Sequence, residues 1–161
     1  MTDLRAIVDS LQPVEGDLGV VLGNIRYRMT NAIEASHVKF EWRVEPLPAL
    51  EDLAPERVLS IQRIVLEALT NSLRHAAASS ITVSANYVAD RNVIVIVIAD
   101  DGVGFGAETA QRGHGLRNMR SRAERIGIRI DIESAPGRGT RVMLEIAARH
   151  GLPPASAPGA D

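Results

Sequence analysis

Apolar positions recur along the chain with two different periods, and each period predicts one kind of element. The helical period holds over four stretches, at about residues 4 to 11, 15 to 36, 56 to 77 and 116 to 126. The first stretch should end before Pro13, because the residue that precedes a proline disfavours helix. Pro55 suits the first turn of the third helix, where its missing N–H costs nothing.

Five other stretches alternate between apolar and polar residues or are apolar throughout, which is typical of strands. They cover residues 38 to 44, 81 to 88, 92 to 99, 129 to 133 and 140 to 146. The connections at 89 to 91 and 134 to 139 are too short for parallel crossovers, so they should close antiparallel hairpins. We therefore predict an α+β fold, a two-layer sandwich in which a mixed, mostly antiparallel sheet is covered on one face by helices. A doubly wound parallel sheet fits this pattern less well.

Composition narrows the classes of function without choosing one. A length of 161 residues suits a single domain with its own core. A formal net charge of −2 and 3% aromatic residues give no reason to expect nucleic acid as a partner. The absence of cysteine excludes disulfides and thiolate metal sites and is compatible with a reducing cytosol. No apolar run reaches the ~18 residues that span a bilayer, so we expect a cytoplasmic domain without direct membrane contact, whose parent could be membrane-anchored.

Three polar residues of the third helix stand out among its many apolar positions. At about 100° per residue, Glu67, Asn71 and Arg74 share a stripe about 60° wide. Burying such groups is costly without partners, so the stripe is either a solvated edge or a ligand site. A carboxylate and an amide oxygen can hold hydrated magnesium against a triphosphate, and a cation one turn further on can offset phosphate charge.

Asp100 directly follows the most apolar predicted strand and precedes Gly102 and Gly104. Its carboxylate could accept a hydrogen bond from the exocyclic amine of a base, while the glycines let backbone approach a ligand closely. A plain surface turn is the alternative, since Asp and Gly dominate turns. Gly113 and Gly115 precede the fourth helix, where free N–H groups could face phosphate, although a linking loop would also explain them.

Together these motifs resemble the ATP-binding catalytic domain of the GHKL superfamily, which includes sensor histidine kinases, gyrase-type topoisomerases, heat-shock chaperone ATPases and MutL-type repair proteins. Residues 67 to 76 match the asparagine box, 100 to 105 the first glycine box, 113 to 116 the second, and 137 to 140 the closing glycine–threonine element. The resemblance implies the GHKL (Bergerat) type of sandwich, with ATP and Mg²⁺ as cofactors.

Within that superfamily, the chain is similar to the kinases that signal to LuxR-type response regulators. The similarity lies in Arg74-His75-Ala76, a short lid, and residues 115 to 123. Gyrase and chaperone domains carry longer insertions, for which the chain leaves no space. Anti-sigma serine kinases share the size, but their second glycine box and the helix after it usually differ.

The resemblance also implies a role for each matching residue. Asn71 would ligate magnesium, and Glu67 would hold a water of the ion or assist proton transfer as the catalytic residue. Asp100 would read the adenine amine, with Thr140 supporting it through a hydroxyl or a water, and Arg74 and His75 would flank the phosphates. The implied nucleotide-binding set is Asn71, Arg74, His75, Asp100, Gly102, Gly104, Gly113, Gly115, Leu116 and Thr140.

The phosphoacceptor of such kinases has no counterpart in the sequence. That acceptor is a histidine beside an acidic residue in a dimerising helix hairpin, and none of His37, His75, His114 and His150 has an acidic neighbour. Residues 1 to 13 resemble the end of that hairpin, 14 to 148 the catalytic domain, and the Pro-, Ala- and Gly-rich residues 149 to 161 read as a disordered tail.

We therefore expect a catalytic domain that is a monomer in isolation and does not autophosphorylate. It would bind Mg-ATP and donate the γ-phosphoryl group to a histidine on a dimerisation domain absent from this chain, with a LuxR-type response regulator downstream. The alternatives are an anti-sigma-factor-type serine kinase and an ATP-binding regulatory module without phosphotransfer.

Overall fold

The structure, a computed structural model, describes residues 17 to 50, 53 to 106 and 113 to 148. Its helices are α1 (Leu18–Ser36), α2 (Pro55–His75) and α3 (His114–Arg125). Its strands are β1 (Lys39–Val44), β2 (Ser80–Val88), β3 (Val93–Asp100), β4 (Arg129–Ser134) and β5 (Thr140–Ala147). Each predicted helix and strand within the described residues is present. The predicted helix over 4 to 11 and the predicted tail lie outside them.

The five strands form one sheet in the order β1-β2-β3-β5-β4. β1 runs parallel to β2, which it reaches through α2, and the other three pairs are antiparallel. A crossover by a helix is what a parallel pair requires, and the hairpins supply the antiparallel pairs. The predicted class, a mixed and mostly antiparallel sheet in an α+β fold, is confirmed.

Alternate residues of the three central strands form the floor of the core. α2 packs against β3 and α3, α1 packs against α2, and α3 also contacts β4. Burying each of the large aliphatic side chains stabilises the fold by about 1.5–3 kcal/mol. The strand residues on this face with less than 4% exposure are Ile81, Val83, Ala85, Ile94, Ile96, Ile98, Val142, Leu144 and Ile146.

The helix ends follow from local chemistry. The Asp17 carboxylate accepts a hydrogen bond from the N–H of Val20 at 3.1 Å and caps α1, and His37 ends that helix with a left-handed φ of 55°. Pro55 occupies the first turn of α2, as expected. α2 runs for 21 residues and packs against β3, and Ser72 in its last turn contacts Asp100 at the end of that strand.

Asp100, the last residue of β3, lies on the face of the sheet that the helices cover. Side chains alternate between faces along a strand, so Asp100 shares a face with Ile98 and Ile96. Its cross-strand partners are Ile81 on β2 and Thr140 on β5. A carboxylate therefore stands at the edge of the apolar core, facing the helices.

Candidate functional site

A cavity of about 220 Å³ opens between the C-terminal half of α2, the start of α3 and the ends of β3 and β5. Most of its surface is apolar, with polar groups at a few points, as is usual for small-molecule sites. Its lining residues are Ala68, Asn71, Ser72, His75, Ala76, Ile98, Asp100, Gly104, Phe105, Gly113, Gly115, Leu116, Met119, Thr140 and Val142.

The carboxylate of Asp100 is the most firmly held polar group of the cavity. Its Oδ2 accepts a hydrogen bond from the Ser72 hydroxyl at 2.7 Å. Its Oδ1 accepts from the backbone N–H of Gly102 at 3.0 Å and of Thr140 at 3.2 Å. A carboxylate offers about four lone-pair positions, so three protein donors leave one for a donor group in the cavity.

Thr140 supports Asp100 directly through its backbone, whereas the sequence suggested its hydroxyl or a water. Its backbone N–H makes the contact, whereas its hydroxyl lies 3.1 Å from the Ser134 hydroxyl. The Ser134 hydroxyl in turn donates to the carbonyl of Gly139 at 2.8 Å and accepts from the N–H of Phe105 at 2.9 Å. Because the single hydroxyl hydrogen of Ser134 points to Gly139, the Thr140 hydroxyl must be the donor in its hydrogen bond with Ser134. The Thr140 hydroxyl hydrogen therefore points away from Asp100.

The glycines after Asp100 allow segments of the protein itself to meet. A Cβ on Gly102 would lie 2.2 Å from the carbonyl oxygen of Ala76, and Gly102 is buried outside the cavity lining. Gly104 has a φ of 60°, and a Cβ there would lie 2.1 Å from the carbonyl oxygen of Ala135. At both positions the missing side chain lets neighbouring backbone come close, and Gly104 also lines the cavity.

α2 presents a slightly different stripe to the cavity from the predicted one. Asn71 and His75 line it, as expected of site residues, and Ser72 lies between them in sequence. Glu67 is half-buried beside Gly115, Arg74 is exposed, and neither lines the cavity. The residues that face the cavity differ from the predicted ones because the cavity lies on the side of α2 that faces β3. Sequence periodicity gives the angles between residues of a helix but does not show which side of the helix faces a cavity.

The start of α3 forms the opposite wall. Gly113 is the N-cap residue, no side chain of the described residues caps the first turn, and that turn carries no acidic residue. The free N–H groups and the helix dipole therefore favour an anion at this end of the cavity. Gly115 comes close to α2, since a Cβ there would lie 2.5 Å from Glu67 Oε1 and 3.6 Å from Asn71 Nδ2.

Comparison with known proteins decides the family. The model of the family described as histidine kinase-, DNA gyrase B-, and HSP90-like ATPase matches residues 56 to 150, which is more than half of the chain. The chain belongs to this family. The expectation drawn from the asparagine and glycine boxes is thereby confirmed.

Relatives of this ATPase domain are sensor kinases. It is 37% identical to the nitrate/nitrite sensor protein NarQ of Escherichia coli K12 over 106 residues, which cover 65% of the chain and 18% of NarQ. It is 27% identical to the signal transduction histidine-protein kinase/phosphatase DegS of Bacillus subtilis 168 over 134 residues, covering 81% of the chain and 34% of DegS. The chain thus spans about a fifth to a third of the length of these relatives.

The fold of the ATPase domain also matches a solved structure. The catalytic domain of the histidine kinase ThkA superposes with a TM-score of 0.64 at 16% identity, covering 82% of the chain and 94% of the ThkA domain. Among the residues that the structure describes, no helix is both long and apolar enough to cross a membrane.

Magnesium fits the donor chemistry of the ATPase site in one place. The carboxylate of Glu67 and the amide of Asn71 lie on adjacent turns of α2 and both approach Gly115. The described residues contain no group of three or more acidic or histidine side chains that could hold a metal alone. Mg²⁺ commonly takes one or two protein oxygens and completes its shell with phosphate and water, so this pair suits it when a nucleotide is bound.

Sequence reasoning missed Ser72, Ser134 and Met119. Ser72 is 5% exposed, and the sequence feature that could have indicated its role is a polar residue on the core side of a largely apolar helix. Met119 lines the cavity at 1% exposure but reads in sequence as an ordinary core residue of α3. Ser134 acts through hydrogen bonds to three partners that no local pattern reveals.

Proposed function

We propose that this domain binds Mg-ATP in the cavity and donates the γ-phosphoryl group to a histidine on a separate dimerisation and phosphoacceptor domain. The observation that carries the proposal is the Asp100 carboxylate, held by Ser72 and by two backbone N–H groups in a mostly apolar cavity. Membership of the ATPase family and the similarity to NarQ and DegS support it.

The base would occupy the apolar part of the cavity. A volume of about 220 Å³ lies below the range of about 300–1,000 Å³ that is usual for pockets of drug-sized ligands, so it suits the base with the rest of the nucleotide outside. Asp100 would accept a hydrogen bond from the exocyclic amine of adenine. Guanine presents a carbonyl oxygen at the corresponding place, and two facing acceptors repel, so Asp100 would select adenine.

The phosphates would leave the cavity between α2 and the start of α3. The free N–H groups after Gly113 would receive them, and His75, which lines the cavity and is exposed, would lie beside them. Arg74 is one residue away on the exposed side, so we retain it as a phosphate contact that requires a turn of its side chain. Gly115 and Leu116 would shape the path.

Positioning and charge neutralisation account for most of the catalysis of phosphoryl transfer. Asn71 and Glu67 would hold Mg²⁺, which would supply neutralisation of the phosphate charge when bound. Glu67 would also accept a proton from an attacking imidazole, because its half-buried carboxylate lies beside Gly115 at the start of α3, where the phosphates would leave the cavity. Asp100 and Thr140 stay at the base end and take no part in the transfer itself.

Labelling with γ-³²P-ATP tests the phosphotransfer. The chain alone should acquire no phosphohistidine, because His75 belongs to the nucleotide site, His37 ends α1 and His114 begins α3. Addition of a dimerisation hairpin from a LuxR-paired sensor kinase should give acid-labile, alkali-stable label on the hairpin. Label on the chain's own histidines would contradict the proposal.

The same experiment separates the alternatives. Transfer to serine of a supplied protein, recognised by its acid stability, would favour an anti-sigma-type serine kinase. Mg-ATP binding without transfer to any supplied acceptor would favour a regulatory module. A response regulator of the LuxR type is proposed as the downstream partner because the sequence after Gly115 resembles kinases of that branch.

A further inference from the structure

Asp101, next to the proposed adenine-reading carboxylate, makes contacts that the site described above does not use. Its Oδ1 accepts hydrogen bonds from the backbone N–H groups of Ser79 and Ser80, both at 2.8 Å. Its Oδ2 accepts from the Ser79 hydroxyl. These donors, the Ser79 hydroxyl first among them, lower the pKa of Asp101 below its usual value, so the carboxylate is ionised at neutral pH.

The segment that Asp101 holds is the short connection between α2 and β2, residues 76 to 79. The connection contains Ala77, an exposed alanine with a left-handed φ of 47°. A residue with a side chain adopts that conformation only where surrounding contacts impose it. The conformation of this connection therefore depends on hydrogen bonds from residues outside it, which we call the clamp.

The clamp has two parts, one on either side of Gly102. The N–H of Val103 donates to the carbonyl of Ala76 at 2.7 Å, and Asp101 holds the other end of the connection at Ser79 and Ser80. Gly102 permits this approach, since a Cβ there would lie 2.2 Å from the Ala76 oxygen. Residues 101 to 103 thus fix the end of α2 against the end of β3.

The end of α2 is also the phosphate side of the proposed site. Asn71 and His75 lie in its last two turns, whereas Asp100, directly before Asp101, faces the base. We propose that Asp101 is a positioning residue that sets the separation between the base-reading carboxylate and the magnesium- and phosphate-binding turns of α2. This inference rests on the proposed function and extends it to a residue that touches no part of the nucleotide.

Two ligands distinguish positioning from a general effect on the fold. AMP in EDTA reports the base end, where Asp100 keeps its contacts with Gly102 and Thr140. A non-hydrolysable ATP analogue with Mg²⁺ reports both ends together. In Asp101→Asn, which loses the charge and one acceptor, we expect the dissociation constant for AMP to change less than twofold and that for the Mg²⁺ complex to rise about tenfold.

A second variant and a control keep the test decisive. Ser79→Ala removes only the hydroxyl donor and leaves both backbone donors, so it should give a smaller loss of the same selective kind. Asp90→Asn removes the same charge from an exposed residue of the turn between β2 and β3, and should change neither constant. Thermal unfolding confirms that each variant is folded at the titration temperature.

The possible results distinguish a failure of the positioning role from a failure of the proposed function. Equal loss for both ligands, or no loss for either, in Asp101→Asn and Ser79→Ala would overturn the positioning role while leaving nucleotide binding intact. If Asp101→Asn does not fold, Ser79→Ala decides alone. A wild-type chain that fails to bind the Mg²⁺ complex would instead refute the proposed function, and the positioning role with it.

Discussion

At the scale of single residues, the sequence predicts which carboxylate lies in the cavity more readily than the hydrogen-bond donors that orient it. Asp100 could be identified from the sequence because it follows an apolar strand and precedes spaced glycines. The Ser72 hydroxyl and the Thr140 N–H that hold it could not, because both contacts join residues at least 28 positions apart. Thr140 was expected to support Asp100 through its hydroxyl or a water, whereas its hydroxyl lies at Ser134, because side-chain direction depends on packing that the sequence does not show.

Replacement of Ser72 tests this orientation directly. Ser72→Ala removes one donor from Asp100 Oδ2 and frees the carboxylate to turn. The loss of a hydrogen bond to a charged group, about 1.5 kcal/mol at the low end, should weaken ATP binding about tenfold. Isothermal titration calorimetry measures it, with Ser121→Ala on the exposed face of α3 as the control. Equal affinities for Ser72→Ala and wild type would show that Ser72 does not orient the site.

At the scale of elements, the sequence predicted most of the fold because each element has a clear period and a clear end. Asp17 and Pro55 mark helix starts, and the hairpin connections are too short for any alternative pairing. The rotation of α2 about its axis was missed, since it depends on what packs beside the helix. For the same reason Glu67 and Arg74 were placed in a common stripe with Asn71, although the cavity faces Asn71, Ser72 and His75.

The junction between α2 and β3 gives a prediction about stability. In Gly102→Ala the new Cβ would meet the backbone of Ala76 at 2.2 Å, and backbone cannot move aside cheaply. Overpacking of this kind typically costs about 1–3 kcal/mol, so the free energy of unfolding in urea should fall by that amount. Gly23→Ala, on the exposed face of α1 with no atom within 4 Å, should instead stabilise by up to about 1 kcal/mol. Equal stability of Gly102→Ala and wild type would contradict the described junction.

At the scale of the whole molecule, one sheet and three helices converge on a single end of the fold. Asp100 and Thr140 are paired at the ends of β3 and β5 that lie there. Asn71 on α2 and the start of α3 line the same cavity. Under the proposed function, the base would lie at one end of this cavity and the phosphates at the other, which suits a domain that presents a nucleotide to another protein. The family could be inferred from four motifs, but the acceptor domain and regulator it serves are properties of partners and remain proposals.

The most direct measurement of the central claim is a calorimetric titration of Mg-ATP into the wild-type chain, Asp100→Asn and Asp90→Asn. Wild type and Asp90→Asn should bind alike. Asp100→Asn replaces an acceptor for the adenine amine with an amide that can present its own N–H₂, so affinity should fall about 10- to 100-fold with the protein still folded. Binding by Asp100→Asn that equals wild type would contradict the assignment of this cavity to adenine.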